Sequence, residues 1–123
     1  MNVLLDTHII VDLLNGHQQA RDYLQQLKKI NVSSITVYEV LAGCTGQRSN
    51  QLNVAEVLFG NCNVVTASQN IATRAAGYQR RWNRKRKMAD FLIEATAEEL
   101  GLELATRNPK DFRQVKTVIP YSL

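Results

Sequence analysis

The order of apolar patterns along the chain predicts an α/β fold: one domain over residues 1–123, with a short, mainly parallel central sheet flanked by helices. Three observations carry that expectation. Apolar runs too brief for helices recur as "NVLL", "INVSS", "NCNVVT", "LELAT" and "KTVIP". Between most of them lie segments whose apolar residues repeat at i, i+3, i+4 and i+7, the spacing of a helix with one buried face. Such alternation sets parallel strands side by side with helices on both faces of the sheet.

Each element follows from its own residues. "NVLL" is closed by Asp6 and Thr7, the residue types that start a helix, and Ile10, Leu13 and Leu14 then repeat until Asn15 and Gly16 end the pattern. Ala20, Tyr23, Leu24 and Leu27 form the buried face of a second helix. After "INVSS", Ser33, Ser34 or Thr36 caps a helix whose stripe is Val37, Val40, Leu41 and Cys44. A weaker helix is expected over residues 49–59, ahead of the third strand. Ser68 caps a long helix with Ile71, Ala75, Tyr78 and Trp82 inward. The next helix is expected to bury Ala89, Leu92, Ile93, Thr96 and Leu100, with Gly101 closing it. "LELAT" and "KTVIP" supply the last strands, with "RNPKDF" between them.

Composition narrows the class. An apolar share of 45% and a charged share of 21% are those of a globular chain. No apolar run nears the ~20 residues that cross a bilayer, and "MNVLLDTHII" carries no basic leader, so a cytoplasmic protein is expected. Cys44 and Cys62 read as buried thiols rather than a disulfide.

Charge is distributed unevenly. Seven of the fifteen Lys and Arg residues lie between Arg74 and Lys87, uninterrupted by any acid. Crowding of this kind repels itself and suits a phosphate-bearing partner. Arg74, Arg81 and Lys85 are expected along one flank of their helix; with Arg84 and Lys87 they are the candidate nucleic-acid-binding set.

The acids point to chemistry. In a parallel sheet, ligands gather beyond the carboxyl ends of the strands. Asp6 closes the first strand, Glu39 lies early in the helix after the second, Asp90 opens the helix before the fourth, and Thr106, Asn108 and Asp111 follow the fourth. All are expected at one rim. Clustered carboxylates repel one another unless a cation offsets them, and a hard ion such as Mg²⁺ or Mn²⁺ takes oxygen ligands while keeping waters. Beside a basic stripe, such a centre suits metal-assisted hydrolysis of a phosphodiester. Taken singly, each acid has a plainer reading, as a helix cap, a surface carboxylate or a turn former.

"LLDTHIIVDLL", "SSITVYEVLAG", "MADFLIEATAEELGLELATRNPKDF" and the closing strand before Pro120 together resemble the PIN-domain family, specifically the VapC-type toxins of toxin–antitoxin pairs. The resemblance implies an endoribonuclease dependent on Mg²⁺ or Mn²⁺ that cleaves structured RNA, often tRNA or rRNA, and arrests translation. It places Asp6, Glu39, Asp90 and Asp111 at the family's acidic quartet, both catalytic and metal-binding, with Thr106 and Asn108 as the supporting polar pair. It also implies a cognate antitoxin and a homodimer. Two positions depart from the pattern. His8 stands where many relatives have Asn, and Glu94 stands where a small residue is usual, free either to join the metal site or to pair with Arg or Lys.

Other classes fit less well. A receiver domain needs an Asp at the end of the third strand, which here reads "VVTAS". A haloacid-dehalogenase-type phosphatase needs a second Asp two residues after the first, where this chain has His8. The remaining competitor is a non-catalytic nucleic-acid-binding module built on the basic helix, for which rim acids would repel the ligand.

Overall fold

In the computed structural model, which describes residues 2–82 and 86–123, five parallel strands form the sheet in the order β3-β2-β1-β4-β5. The strands are β1 (Val3–Leu5), β2 (Asn31–Ser33), β3 (Asn63–Val65), β4 (Glu103–Ala105) and β5 (Thr117–Val118). Register is continuous across the centre, with Leu4 opposite Leu104 on one side and opposite Asn31 on the other. The helices among the described residues are α1 (Thr7–Leu14), α2 (Gln18–Gln25), α3 (Ser34–Ala42), α4 (Leu52–Gly60), α5 (Gln69–Arg81) and α6 (Met88–Leu100). None is long and apolar enough to cross a membrane.

Strand alternation divides the core. Val3, Leu5 and Ala105 pack with Ile9, Ile10, Leu24, Val40 and Phe59 against the helices of one face. Leu4 and Leu104 point the other way, onto Ile93 and Ala97 of α6 and onto Phe112. A third cluster joins α5 to α6 through Ile71, Ala75, Tyr78, Trp82, Phe91 and Ala95. The stripe expected on α5 is therefore the one buried.

Caps agree with the residues. Asp6, Ser33 and Ser68 each accept a backbone N–H of the helix they precede, and Gly101 ends α6 at φ 66°, a left-handed conformation that favours glycine. Cys44 and Cys62 are free thiols. Two expectations change. The helix expected over residues 49–59 is a 3-10 stretch, Gly46–Gln51, that passes into α4. On α6 the buried set is Phe91, Ile93, Glu94, Ala95, Thr96 and Ala97, while Ala89 and Leu92 are half-buried and Leu100 is 44% exposed. Packed between α5 and the sheet, α6 buries two faces, which a one-stripe pattern does not describe.

The order in which strands are added reverses at the middle of the sheet: β1, β2 and β3 step outward on one side, then β4 returns beside β1. The switch point therefore lies between the carboxyl ends of β1 and β4, where ligands collect in folds of this kind.

Candidate active site

Asp6 sits at that switch point, almost fully buried. Its backbone N–H donates to Ala105 O at 2.9 Å, extending the β1–β4 ladder, and Oδ1 accepts the Thr7 N–H at 2.8 Å. The buried Thr106 hydroxyl donates to Asp6 Oδ2 at 2.8 Å and accepts the Asn108 N–H at 3.0 Å. Thr106 thus aims the carboxylate from behind and shapes the following loop.

Glu39 is reached from α1. The Thr7 hydroxyl donates to Glu39 Oε1 at 2.7 Å and lies 2.9 Å from the Thr36 hydroxyl, so two threonines orient an acid on α3. Asp90 is in the first turn of α6. Asp111 ends a single 3-10 turn, Pro109–Asp111, with its N–H on Asn108 O at 3.1 Å. A cleft of about 400 Å³ is lined by Asp6, Glu39, Asp90 and Asp111, together with Thr7, His8, Lys87 and Asn108. Four acids from four separate segments thus face one space.

Their electrostatics register in Asp90, whose carboxyl is pushed up to about 6, chiefly by burial and then by the charges of Asp6, Asp111 and Glu39, against an opposing pull from Arg86. The exposed imidazole of His8 lies with Nδ1 3.9 Å from Asp6 Oδ2, and that contact raises its pKa. The quartet shares a cleft without closing on one point: among the described residues, no three His, Cys, Asp or Glu side chains are grouped tightly enough to hold an ion together. Glu39 is turned onto Thr7, and mutual repulsion favours separation. An all-oxygen donor set with room for water still suits a hard divalent ion, which keeps part of its hydration shell.

The basic residues part company. Arg74 is engaged at the α5–α6 interface, where its guanidinium pairs with Glu98 and, at 2.8 Å, with Glu99. Arg81 is exposed, 5.6 Å from the Tyr78 ring centroid. Lys87 is exposed and lines the acidic cleft. Arg84 and Lys85 lie outside the described residues. Glu94 stays away from the cleft and pairs with Arg86 at 3.1 Å.

One constellation is absent from the sequence reading. Asp12, buried on α1, accepts Arg107 Nε at 2.8 Å, Arg107 Nη2 at 3.1 Å and the Tyr121 hydroxyl at 2.7 Å. With Thr106 fastened to Asp6, the loop carrying Asn108 and Asp111 is therefore anchored twice, to α1 and to the residue that caps it. The available signal was an acid within the apolar run "IIVDLL", because an acid is seldom buried without a partner.

The sequence matches the PIN domain family over residues 3–118. It is 30% identical over 121 residues to "Ribonuclease VapC10" of Mycobacterium tuberculosis, covering 96% of this chain and 91% of that protein. The fold is similar to that in a toxin–antitoxin complex from Klebsiella pneumoniae, with a TM-score of 0.85, 32% identity, and coverage of 99% of this chain and 100% of the other. A DNA-bound VapBC from Salmonella typhimurium, at 18% identity and a TM-score of 0.82 over 96% of this chain and 97% of that one, shares the fold.

Proposed function

Because the chain belongs to the PIN domain family, in its VapC branch, we propose that it is the toxin of a toxin–antitoxin pair, an endoribonuclease that hydrolyses structured RNA such as tRNA or rRNA and so arrests translation. The observation that carries this reading is the convergence of Asp6, Glu39, Asp90 and Asp111 on one cleft, with enough mutual repulsion to help lift Asp90 to about 6. Repulsion of this kind is relieved by a cation, and Mg²⁺ or Mn²⁺ is the cofactor the donor set suits.

When bound, such an ion lowers the pKa of a coordinated water and offsets charge developing on the phosphate. The chain's own residues do the rest. Asp6, Asp90 and Asp111, joined by Glu39, would hold the ion, part of the contact running through its retained water. Thr106 fixes Asp6 by its hydroxyl, and Thr7 fixes Glu39. Asn108, at the cleft wall, offers an amide to the RNA backbone. Lys87 attracts phosphate beside the acids, and Arg81, with Arg84 and Lys85, extends that attraction along the strand. Arg74, already paired with two glutamates, contributes least. The partners proposed are a cognate antitoxin, in keeping with the toxin–antitoxin assemblies of similar fold, and a second copy of this chain. The compartment is the cytoplasm, where such RNA resides.

The deciding assay uses purified protein freed of antitoxin, with mapping of RNA ends. Cleavage is expected with Mg²⁺ or Mn²⁺, lost in EDTA and lost in Asp6→Asn or Asp90→Asn, while RNA binding persists. Binding without metal-dependent cleavage over a broad RNA panel would reject the enzyme in favour of a non-catalytic RNA-binding module.

A further inference from the structure

Behind the cleft lies a charged pair sealed from solvent. Glu94 is completely buried, and the Arg86 side chain is 4% exposed. Arg86 Nη1 donates to Glu94 Oε1 at 3.1 Å, and the Gln114 N–H donates to Glu94 Oε2 at 2.7 Å. The guanidinium lies 4.3 Å from the Trp82 ring centroid, 4.3 Å from that of Phe91 and 5.1 Å from that of Phe112. A pair this desolvated adds little net stability, and apolar side chains of similar size often serve as well. Folding alone does not call for it.

Its connections do suggest a purpose. Arg86 precedes Lys87, Phe91 follows Asp90, and Phe112 follows Asp111, so Arg86 and two of the three rings it faces are each one residue from a side chain lining the cleft. Glu94 sits one helical turn after Asp90 on α6, while its other oxygen grips the backbone of the loop beyond Asp111. Asp90 and Asp111 repel each other, yet both must stay near enough to share an ion. Contacts with a planar guanidinium and a two-oxygen acceptor are directional, whereas apolar packing is not. From the rear, Arg86 also draws on Asp90 by charge.

We infer that Arg86 and Glu94 are a positioning pair that holds the start of α6 and the loop after β4 in register, so that Asp90 and Asp111 can take up a divalent cation together. This rests on reading the cleft as a metal-dependent site. It also gives the buried Glu94 a role outside the metal's own ligands.

The test compares the parent with Arg86→Met/Glu94→Leu, which exchanges the charges for apolar groups of similar length. Mn²⁺ affinity is read by titration calorimetry, folding by thermal denaturation, and RNA affinity in EDTA by filter binding. The double variant is expected to fold and to bind RNA in EDTA as the parent does, but to bind Mn²⁺ about 10- to 100-fold more weakly, the usual cost of losing support behind metal ligands. Arg86→Lys, which keeps the charge but not the plane, should fall between. If the double variant does not fold, Glu94→Gln, nearly the same shape, gives the same comparison. Parent-like Mn²⁺ affinity in whichever variant folds overturns the inference, as does a parent that binds no Mn²⁺. A parent that binds Mn²⁺ yet cleaves no RNA sinks the nuclease reading alone, and the variants still decide the pair.

Discussion

Replacing Asp12 by Ala removes a carboxylate that is 5% exposed and accepts three hydrogen bonds, two from the Arg107 guanidinium and one from the Tyr121 hydroxyl. Removing one member of a buried ion pair costs about 3–5 kcal/mol, because the remaining charge keeps its desolvation without its partner. The Arg107 side chain is 25% exposed and can turn partly to water, which brings the expected loss to about 2–3 kcal/mol. For a chain of 123 residues the unfolding entropy is about 0.26 kcal/mol/K at ~2.1 cal/mol/K per residue. The midpoint should therefore drop by about 8–12 °C in a thermal melt followed by circular dichroism. Arg107→Met alone should also destabilise, and the double substitution should cost less than the sum, since both remove the same interaction. Tyr121→Phe, which loses one bond to a charged acceptor from a half-buried ring, should cost about 1.5 kcal/mol. A loss below about 1 kcal/mol for Asp12→Ala, or strict additivity with Arg107→Met, would refute the buried clamp.

Four further outcomes are expected. Asp90 has a folded pKa of about 6 against an ordinary 3.8, so its contribution to metal-free stability is fully present below 3.8 and lost as pH rises through about 6. In EDTA the midpoint of the parent relative to Asp90→Asn should thus decline between about pH 4 and 6 and level off above that, and parallel curves would contradict it. For the same reason Mn²⁺ should compete with a proton there and bind more weakly below about pH 6. Arg81→Glu and Lys87→Glu should each weaken RNA binding and flatten its dependence on salt by about one unit of log–log slope, as filter binding over a salt series would reveal; an unchanged slope would remove that residue from the RNA path. Gly101→Ala places a side chain at φ 66° and should cost about 1 kcal/mol, or roughly 4 °C, in the same melt.

Much of the molecule was already written in local patterns. A short contiguous apolar run marks a strand buried on both faces and period-3.6 spacing marks the inward side of a helix, so "VLL" and the Ile71–Ala75–Tyr78–Trp82 stripe identify core before any packing is known. Capping residues mark where helices begin, and a parallel sheet directs whatever follows its strands to one rim. These two facts suffice to bring Asp6, Glu39, Asp90 and Asp111 toward a common cleft. Local pattern did not tell which charges would meet. Arg86 reads as one more member of a basic run, and only the packing of α5, α6 and the 112–114 loop seals it against Glu94. Arg74 reads the same way and is instead bound to Glu98 and Glu99. Asp12 and Arg107 are 95 residues apart, and their pairing depends on α1 lying beside the end of β4. Where an element packs on one side, as α5 does, burial direction is a property of neighbours in the chain and sequence determined it; the second buried face of α6 and the partner of each buried charge are properties of neighbours in space, which tertiary structure alone decided.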